Sequence, residues 1–347
     1  MRKNWRSLFG AVVGVAFLVW ALHGIPFDQV WLHIRNANPW YLLGASVAGT
    51  LIFPLRAPRW RIILSPVAEA LPLGMLWRAI AIGMMGNNVL PARAGELARA
   101  FALSRETKRV PFSAAFASLA VDRIFDATCV LLLMAVATLD PSLPKGETFA
   151  GYSIAKIIGS GAALALVAIS GLYLIVFFTE HAILLWEWVA RKIAPNYEER
   201  GRRIILAFAM GLAVLRDPVK FVSAMAWSII MWLMNALAFW LAFKAVGIEV
   251  SFSAALMLQG LIAIGVAVPA LPGFFGVFEK FAQIGLGVYG IDRTLATSWA
   301  ISYHILTFLP ITIIGIYYFV TLGLKLSDMN ATSEAAHSAA EAAPGAP

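Results

Sequence analysis

Apolar stretches separated by short basic ones fill this 347-residue chain almost to its end. Six read as membrane-spanning helices: Leu8–Leu22, Trp40–Phe53, Phe112–Leu139, Tyr152–Phe178, Val222–Phe243 and Leu295–Leu324, the last kinked at Pro310. Two others break before they finish. Only fourteen residues lie between Arg78 and Arg93, and they include Asn87, Asn88 and Pro91. A helix that crosses the hydrocarbon core needs about 20 residues. Basic residues flank this piece on both sides, with Arg78 before it and Arg93, Arg99, Arg105, Lys108 and Arg109 after. Because Lys and Arg collect on the cytoplasmic side, the segment is expected to enter and leave there as a re-entrant hairpin. The competing reading is a short span ended by proline. Ser251–Leu271, interrupted by Pro269 and Pro272-Gly273, together with Phe274–Tyr289, reads as a second hairpin.

The connections set the orientation. Met1–Arg6 is basic and no cleavage site follows, so the first span is expected to be uncleaved, with a cytoplasmic N-terminus. Gly24–Pro39 reads as an outer loop. The stretch Pro54-Leu-Arg-Ala-Pro-Arg-Trp-Arg61 reads as the cytoplasmic end of the second span, and Glu69–Trp77 as a surface connection. Asp140–Glu147 is a turn-rich outer loop. Within Glu180–Lys220, the pieces Ile183–Ile193 and Ile204–Leu215 have helical apolar spacing and are expected to lie along the cytoplasmic interface. Six spans and two hairpins bring the C-terminus back to the cytoplasm, beside Lys325. The predicted fold is an all-α polytopic membrane domain over 1–326, followed by a disordered cytoplasmic tail, 327–347. Leu90-Pro91-x-x-x-Gly95 and Leu271-Pro272-x-x-x-Gly276 share a pattern. This matches an inverted repeat, whose broken helices meet near the midplane of many transporters; chance coincidence of common residues is the alternative.

Composition confirms the class and narrows the chemistry. Only 13% of residues are charged and mean hydropathy is +0.79, against roughly 25% charged in soluble domains. The net charge of +8 sits beside apolar spans, which suits an anionic leaflet and not nucleic acid. The single cysteine, Cys129, excludes an intrachain disulfide framework. Histidines show no metal-ligand spacing, no nucleotide or nucleophile motif occurs, and neither metal nor cofactor is implied.

The polar residues inside apolar elements are the candidates for chemistry. Arg93, Glu96 and Arg99 fall at i,i+3 spacing, so a helix aligns them. Arginine's planar fork suits phosphate, although arginines that merely set topology are the plainer alternative. Asp122, Arg123 and Asp126 stand near the middle of a span, where a charge costs roughly 2.5–3.5 kcal/mol on insertion scales. Arg123 can reach Asp126, and Asp122 can pair with Arg93 or Arg99; the group is either a structural ion-pair network or a functional site. Glu279 and Lys280 are expected to neutralise each other or to reach the outer surface. His304 reads as a packed polar residue.

Three motifs in order carry a resemblance: Asn87-Asn88-x-Leu90-Pro91-x-Arg93-x-Gly95-Glu96-x-x-Arg99, then Asp122-Arg123-x-x-Asp126, then Pro272-Gly273-x-x-Gly276-x-x-Glu279. The chain resembles the lysylphosphatidylglycerol synthase transmembrane region family, also described as flippase-like, and within it the members that stand without an aminoacyl-transferase domain. The resemblance implies lipid translocation in a bacterial inner membrane. An anionic or polar head group would be held by the motif residues, and lipid-biosynthesis proteins would be partners. The alternatives are an enzyme on a lipid-linked substrate, an ion-coupled solute transporter and a non-transporting scaffold. Without a recognisable nucleophile or metal set, the sequence leans away from an enzyme.

Overall fold

The computed structural model describes residues 5–90, 94–143, 148–149, 152–153, 178–193, 217–266 and 271–325, with 163, 167 and 170 singly. Apart from the antiparallel strand pair Thr148–Phe149 and Tyr152–Ser153, the regular elements in these residues are helical. They run α1 (Trp5–Leu22), α2 (Phe27–Arg35), α3 (Pro39–Leu64), α4 (Leu73–Val89), α5 (Gly95–Glu106), α6 (Phe112–Ala137), α7 (Thr179–Ile193), α8 (Pro218–Ala245), α9 (Phe252–Gly265), α10 (Val277–Gly287) and α11 (Arg293–Thr321). Three of the long helices begin at acid or amide caps. Asn38, Asp217 and Asp292 accept backbone N–H groups of the first turns of α3, α8 and α11, and proline follows directly at Pro39 and Pro218.

The long helices define two ends. At one, Asn38 N–H donates to Ala245 O at 2.8 Å, Ser253 Oγ donates to Asp140, and Arg293 Nη2 donates to Ala21 O at 3.1 Å. At the other, Leu64, Leu76, Val110, Ala224 and Leu324 share one apolar cluster. We refer to these as the Asn38 end and the Leu64 end.

Helices α4 and α5 form an antiparallel hairpin whose base lies at the Leu64 end, where Arg78 ion-pairs with Glu106. Their backbones touch. A Cβ on Gly95 would fall 2.0 Å from Gly83 O and 2.5 Å from Asn87 N, so only glycine fits. Helices α9 and α10 form a second hairpin from the opposite, Asn38 end, with Gly265 against Phe281 and Gly285 against Leu258. Both tips reach α11. Asn88 Nδ2 donates to Thr312 Oγ1 at 2.7 Å, and Gly273 packs against Phe308. In each hairpin the motif glycine stands where the second limb starts: Gly95 opens α5 and Gly276 precedes α10.

Several sequence expectations need correction. Gly24–Pro39 is not only a loop, because it holds α2, bent by 82° from the end of α1. Helix α3 does not stop at Pro54; it continues through Pro54 and Pro58 to Leu64, burying Arg56 and Arg59. The prolines are tolerated because neighbouring groups re-satisfy a freed backbone, and the arginines because carboxylates await them. Glu69–Trp77 is half helix, since α4 begins at Leu73 and buries Leu76. The Ile183–Ile193 piece lies within α7, which exposes Leu184, Leu185 and Trp188. Most of Tyr152–Phe178, all of Ile204–Leu215, the tail 327–347 and residues Pro91, Arg93 and Pro269 lie outside the described residues.

Candidate functional site

Asp122 and Asp126, one turn apart on α6, point the same way into the protein, toward α3. Between them stands Arg59, with no exposed surface. Its Nη2 lies 2.7 Å from Asp122 Oδ1, and its Nη1 donates to Asp126 Oδ1 at 2.7 Å and to Ser228 Oγ of α8 at 3.0 Å. A single fork thus ties α3, α6 and α8 together.

Two further arginines approach from other sides. Arg99 of the first hairpin donates from Nη1 to Asp122 Oδ2 at 2.8 Å and lies over the Trp60 ring at 3.9 Å, a cation–π contact. Trp60 is fixed in turn by its Nε1–H, which donates to Ser118 Oγ at 2.8 Å. Arg56 is buried with Nη1 3.5 Å from Asp126 Oδ2, and its Nε and Nη1 have no hydrogen-bond partner among the described residues. Trp232 Nε1–H also donates to Asp126, at 3.1 Å.

Arg123 is turned off the buried face, and half of its side chain is exposed. It lies 3.1 Å from Glu96 Oε1 and 3.3 Å from Asp126 Oδ2. Among the described residues, four guanidinium groups (Arg56, Arg59, Arg99, Arg123) therefore meet three carboxylates (Glu96, Asp122, Asp126), a formal surplus of one positive charge. The excess positive charge lies on the Arg56–Arg123 side of the group. By contrast, the paired Asp122 and Asp126 are poorly placed to exchange protons.

Of the sequence-derived residues, the structure joins Glu96, Arg99, Asp122, Arg123 and Asp126, with Arg99 a partner of Asp122; Arg93 lies outside the described residues. Asn88 instead fastens the α4 tip to α11, and Asn87 Oδ1 is buried beside Gly95 with no hydrogen-bond partner. Glu279 belongs to another place. It is 2% exposed, accepts the Gly276 N–H at 2.6 Å and lies 2.7 Å from His304 Nδ1. The expectation that Glu279 pairs with Lys280 or reaches the surface is wrong, because successive helical residues diverge. Lys280 sits 3.9 Å over the Trp20 ring. Sequence reasoning missed Arg56, Arg59 and Ser228. A signal existed: opposite charges embedded in two apolar stretches need one another.

Comparison with known proteins places the sequence in a family. Residues 7–315 match the lysylphosphatidylglycerol synthase TM region. The chain belongs to that family. Among members of the lysylphosphatidylglycerol synthase TM region, it is similar to a UPF0104 membrane protein of Methanothermobacter thermautotrophicus, with 25% identity over 94% of this chain and 96% of that protein. A UPF0104 membrane protein of Pyrococcus horikoshii is 22% identical over 91% of this chain and 96% of its own length. The glycosyltransferase AglD of Haloferax volcanii is 33% identical over 37% of this chain, a match spanning 20% of AglD. No solved structure matches. Family membership and the long apolar helices make this a membrane protein.

Proposed function

We propose that this protein binds a lipid with an anionic or polar head group and moves it between the leaflets of the cell membrane. The observation that carries this reading is the cationic surplus of the cluster, above all the buried Arg56, whose Nη1 lies 3.5 Å from Asp126 and makes no hydrogen bond among the described residues. A buried cation short of a counter-charge is costly. A phosphate or carboxylate entering beside Arg56 and Arg123 supplies that charge and fits the arginine fork. Arg123, half exposed at the rim, meets the head group first and exchanges Glu96 for it, while Arg59 and Arg99 hold the frame. Arg93, next to Ala94 in the sequence, is assigned to the same task.

The same reading sets α1, α3, α6, Tyr152–Phe178, α8 and α11 as six spans, with α4–α5 and α9–α10 as re-entrant hairpins forming an inverted repeat. At about 1.5 Å per residue, the 17 residues of α4 and 12 of α5 reach some way into an approximately 30 Å core without crossing it. The Leu64 end, with Arg61, Arg105, Lys108, Arg109, Lys220 and Lys325, faces the cytoplasm by the positive-inside rule. Both termini lie there, in a bacterial inner membrane. The glycosyltransferase relative favours a second reading, chemistry on a membrane-bound substrate. The capture of Asp122 and Asp126 by Arg59 argues against it, since it leaves neither as a free acid or base.

The test is reconstitution in vesicles carrying head-group-labelled anionic or zwitterionic lipid, with leaflet redistribution followed by an impermeant quencher. Wild type should accelerate redistribution. Arg56→Gln and Arg123→Gln should each slow it at least tenfold at unchanged size-exclusion profile, while Lys108→Gln behaves as wild type. No acceleration by wild type, or full activity in both arginine variants, overturns the reading.

A further inference from the structure

The second hairpin contains a pair of titratable groups that the arginine cluster does not use. Glu279 of α10 and His304 of α11 are 2% and 8% exposed, with Oε1 2.7 Å from Nδ1. The imidazole's other nitrogen, Nε2, lies 2.7 Å from Gly273 O, and the other carboxylate oxygen accepts the Gly276 N–H at 2.6 Å. Gly273 O can only accept, so Nε2 must carry a hydrogen. Nδ1 then either accepts a proton from a neutral carboxyl group or, as imidazolium, donates to a carboxylate. In both cases one proton lies between Oε1 and Nδ1. Without it, two lone pairs face each other across 2.7 Å, and moving the tautomer only transfers the clash to Gly273 O.

We infer that Glu279 and His304 form a proton-binding site that latches the tip of the α9–α10 hairpin. Deprotonation releases the proton to solvent, breaks one of the two imidazole contacts and changes no other bond. The tip is built to respond. Gly273, Phe274 and Gly276 all have positive φ (68°, 63° and 86°), a conformation that the non-glycine Phe274 holds under strain. An apolar cavity of about 110 Å³ lined by Leu18, Leu22, Phe275, Ile301 and Ile305 adjoins Glu279 and leaves the turn room to shift. Phe308, which packs on Gly273, also offers its carbonyl to Asn88 Nδ2 at 3.5 Å, so the latch and the first hairpin share a neighbour.

Among the described residues, other titratable groups near the dyad are few. On α10, Lys280 faces Trp20; on α11, Tyr303 lies beside the dyad with its hydroxyl 3.5 Å from Asn235, and Arg293 binds Gln283 and α1 carbonyls. Helix α2, packed on α11, carries Asp28, His33 and Arg35, and α4 carries Arg78, paired with Glu106. Helix α8 carries Lys220, paired with Asp217 at one end, and Lys244, paired with Glu249 at the other. Residues 15–22 of α1, residues 45–53 of α3, all of α9 and the Pro272–Phe274 turn contribute none. Within the lipid-transport reading, on which this part rests, the proton is the coupling ion.

The test is hydrogen exchange of the 271–280 backbone in the full chain between pH 5 and 9, corrected for intrinsic exchange. Wild type should lose at least tenfold protection as pH rises. Glu279→Gln, whose amide donates to Nδ1 and accepts from Gly276 N–H without a proton, should stay protected throughout. Protection that is flat with pH in wild type, or equally pH-dependent in Glu279→Gln, overturns the proton site. If Glu279→Gln yields no folded protein, the wild-type profile alone decides. In vesicles, an imposed proton gradient should speed lipid redistribution by wild type and not by Glu279→Gln. A pH-dependent latch in vesicles that move no lipid sustains the proton site and removes only the transport reading.

Discussion

Arg59 on α3 and Asp122 on α6 meet at 2.7 Å with neither side chain exposed. Such a contact is weak evidence for net stability, because desolvating two charges offsets most of their attraction. Its consequence is specificity. Once Arg59 is inside, the packing of α3, α6 and α8 leaves neither Asp122 nor Asp126 unpaired.

Removing Arg59 should therefore be far worse than removing Arg123. Arg59→Met removes the fork that Asp122 and Asp126 share, leaving Asp122 to Arg99 and Asp126 to Arg56, Arg123 and Trp232, and should cost up to about 3–5 kcal/mol, the range for breaking a buried pair. Arg123→Met, at a half-exposed side chain, should cost at most about 1 kcal/mol. Thermal unfolding in detergent, with folded yield, separates them; equal losses would remove Arg59 from its central role.

The first hairpin depends on backbone contact. Gly95→Ala places a Cβ 2.0 Å from Gly83 O, and neither side of that contact is a flexible side chain. Folded yield should fall steeply. Gly287→Ala meets nothing within 4 Å and should be neutral, or gain up to about 1 kcal/mol from helix propensity. Comparing the two variants by size exclusion checks the close approach directly.

Side-specific labelling tests the opposite entry of the two hairpins. In a Cys129→Ala background, cysteines replacing Glu69 and Thr107 should react from one side of the membrane. A cysteine replacing Glu249 should react only from the other. Glu69 lies beside Arg109, and Glu249 pairs with Lys244 at the opposite end. Labelling of Glu69 and Thr107 positions from different sides would make the first hairpin a true crossing.

At the Asn38 end, hydrogen bonds from Ser253 first, and from Ser142, hold the Asp140 carboxyl below the usual aspartate range. With a depressed folded value, its contribution is present at neutral pH and is lost only as pH falls below the ordinary aspartate value. Ser253→Ala should move that loss to higher pH. Hydrogen exchange around 139–143 in an acid titration reads the shift, and an unchanged midpoint would show that Ser253 does not set it.

The apolar periodicity by itself determined that this is an all-helical membrane protein with two interrupted elements. Spans are specified locally, since in lipid each helix must satisfy its own backbone. The charges within Asp122-Arg123-x-x-Asp126 were legible for the same reason: they stand where charges are expensive. Their partners were not. Arg56 and Arg59 follow two prolines at the end of an apolar run, a pattern that reads equally well as a cytoplasmic boundary. Only the packing of α3 against α6 and α8 carries them inward, because a buried charge is settled by what faces it, not by its chain neighbours. Glu279 shows this most plainly: sequence offered Lys280 beside it, and the fold gave it His304, because adjacent side chains on a helix point apart while α10 and α11 bring two distant ones to 2.7 Å.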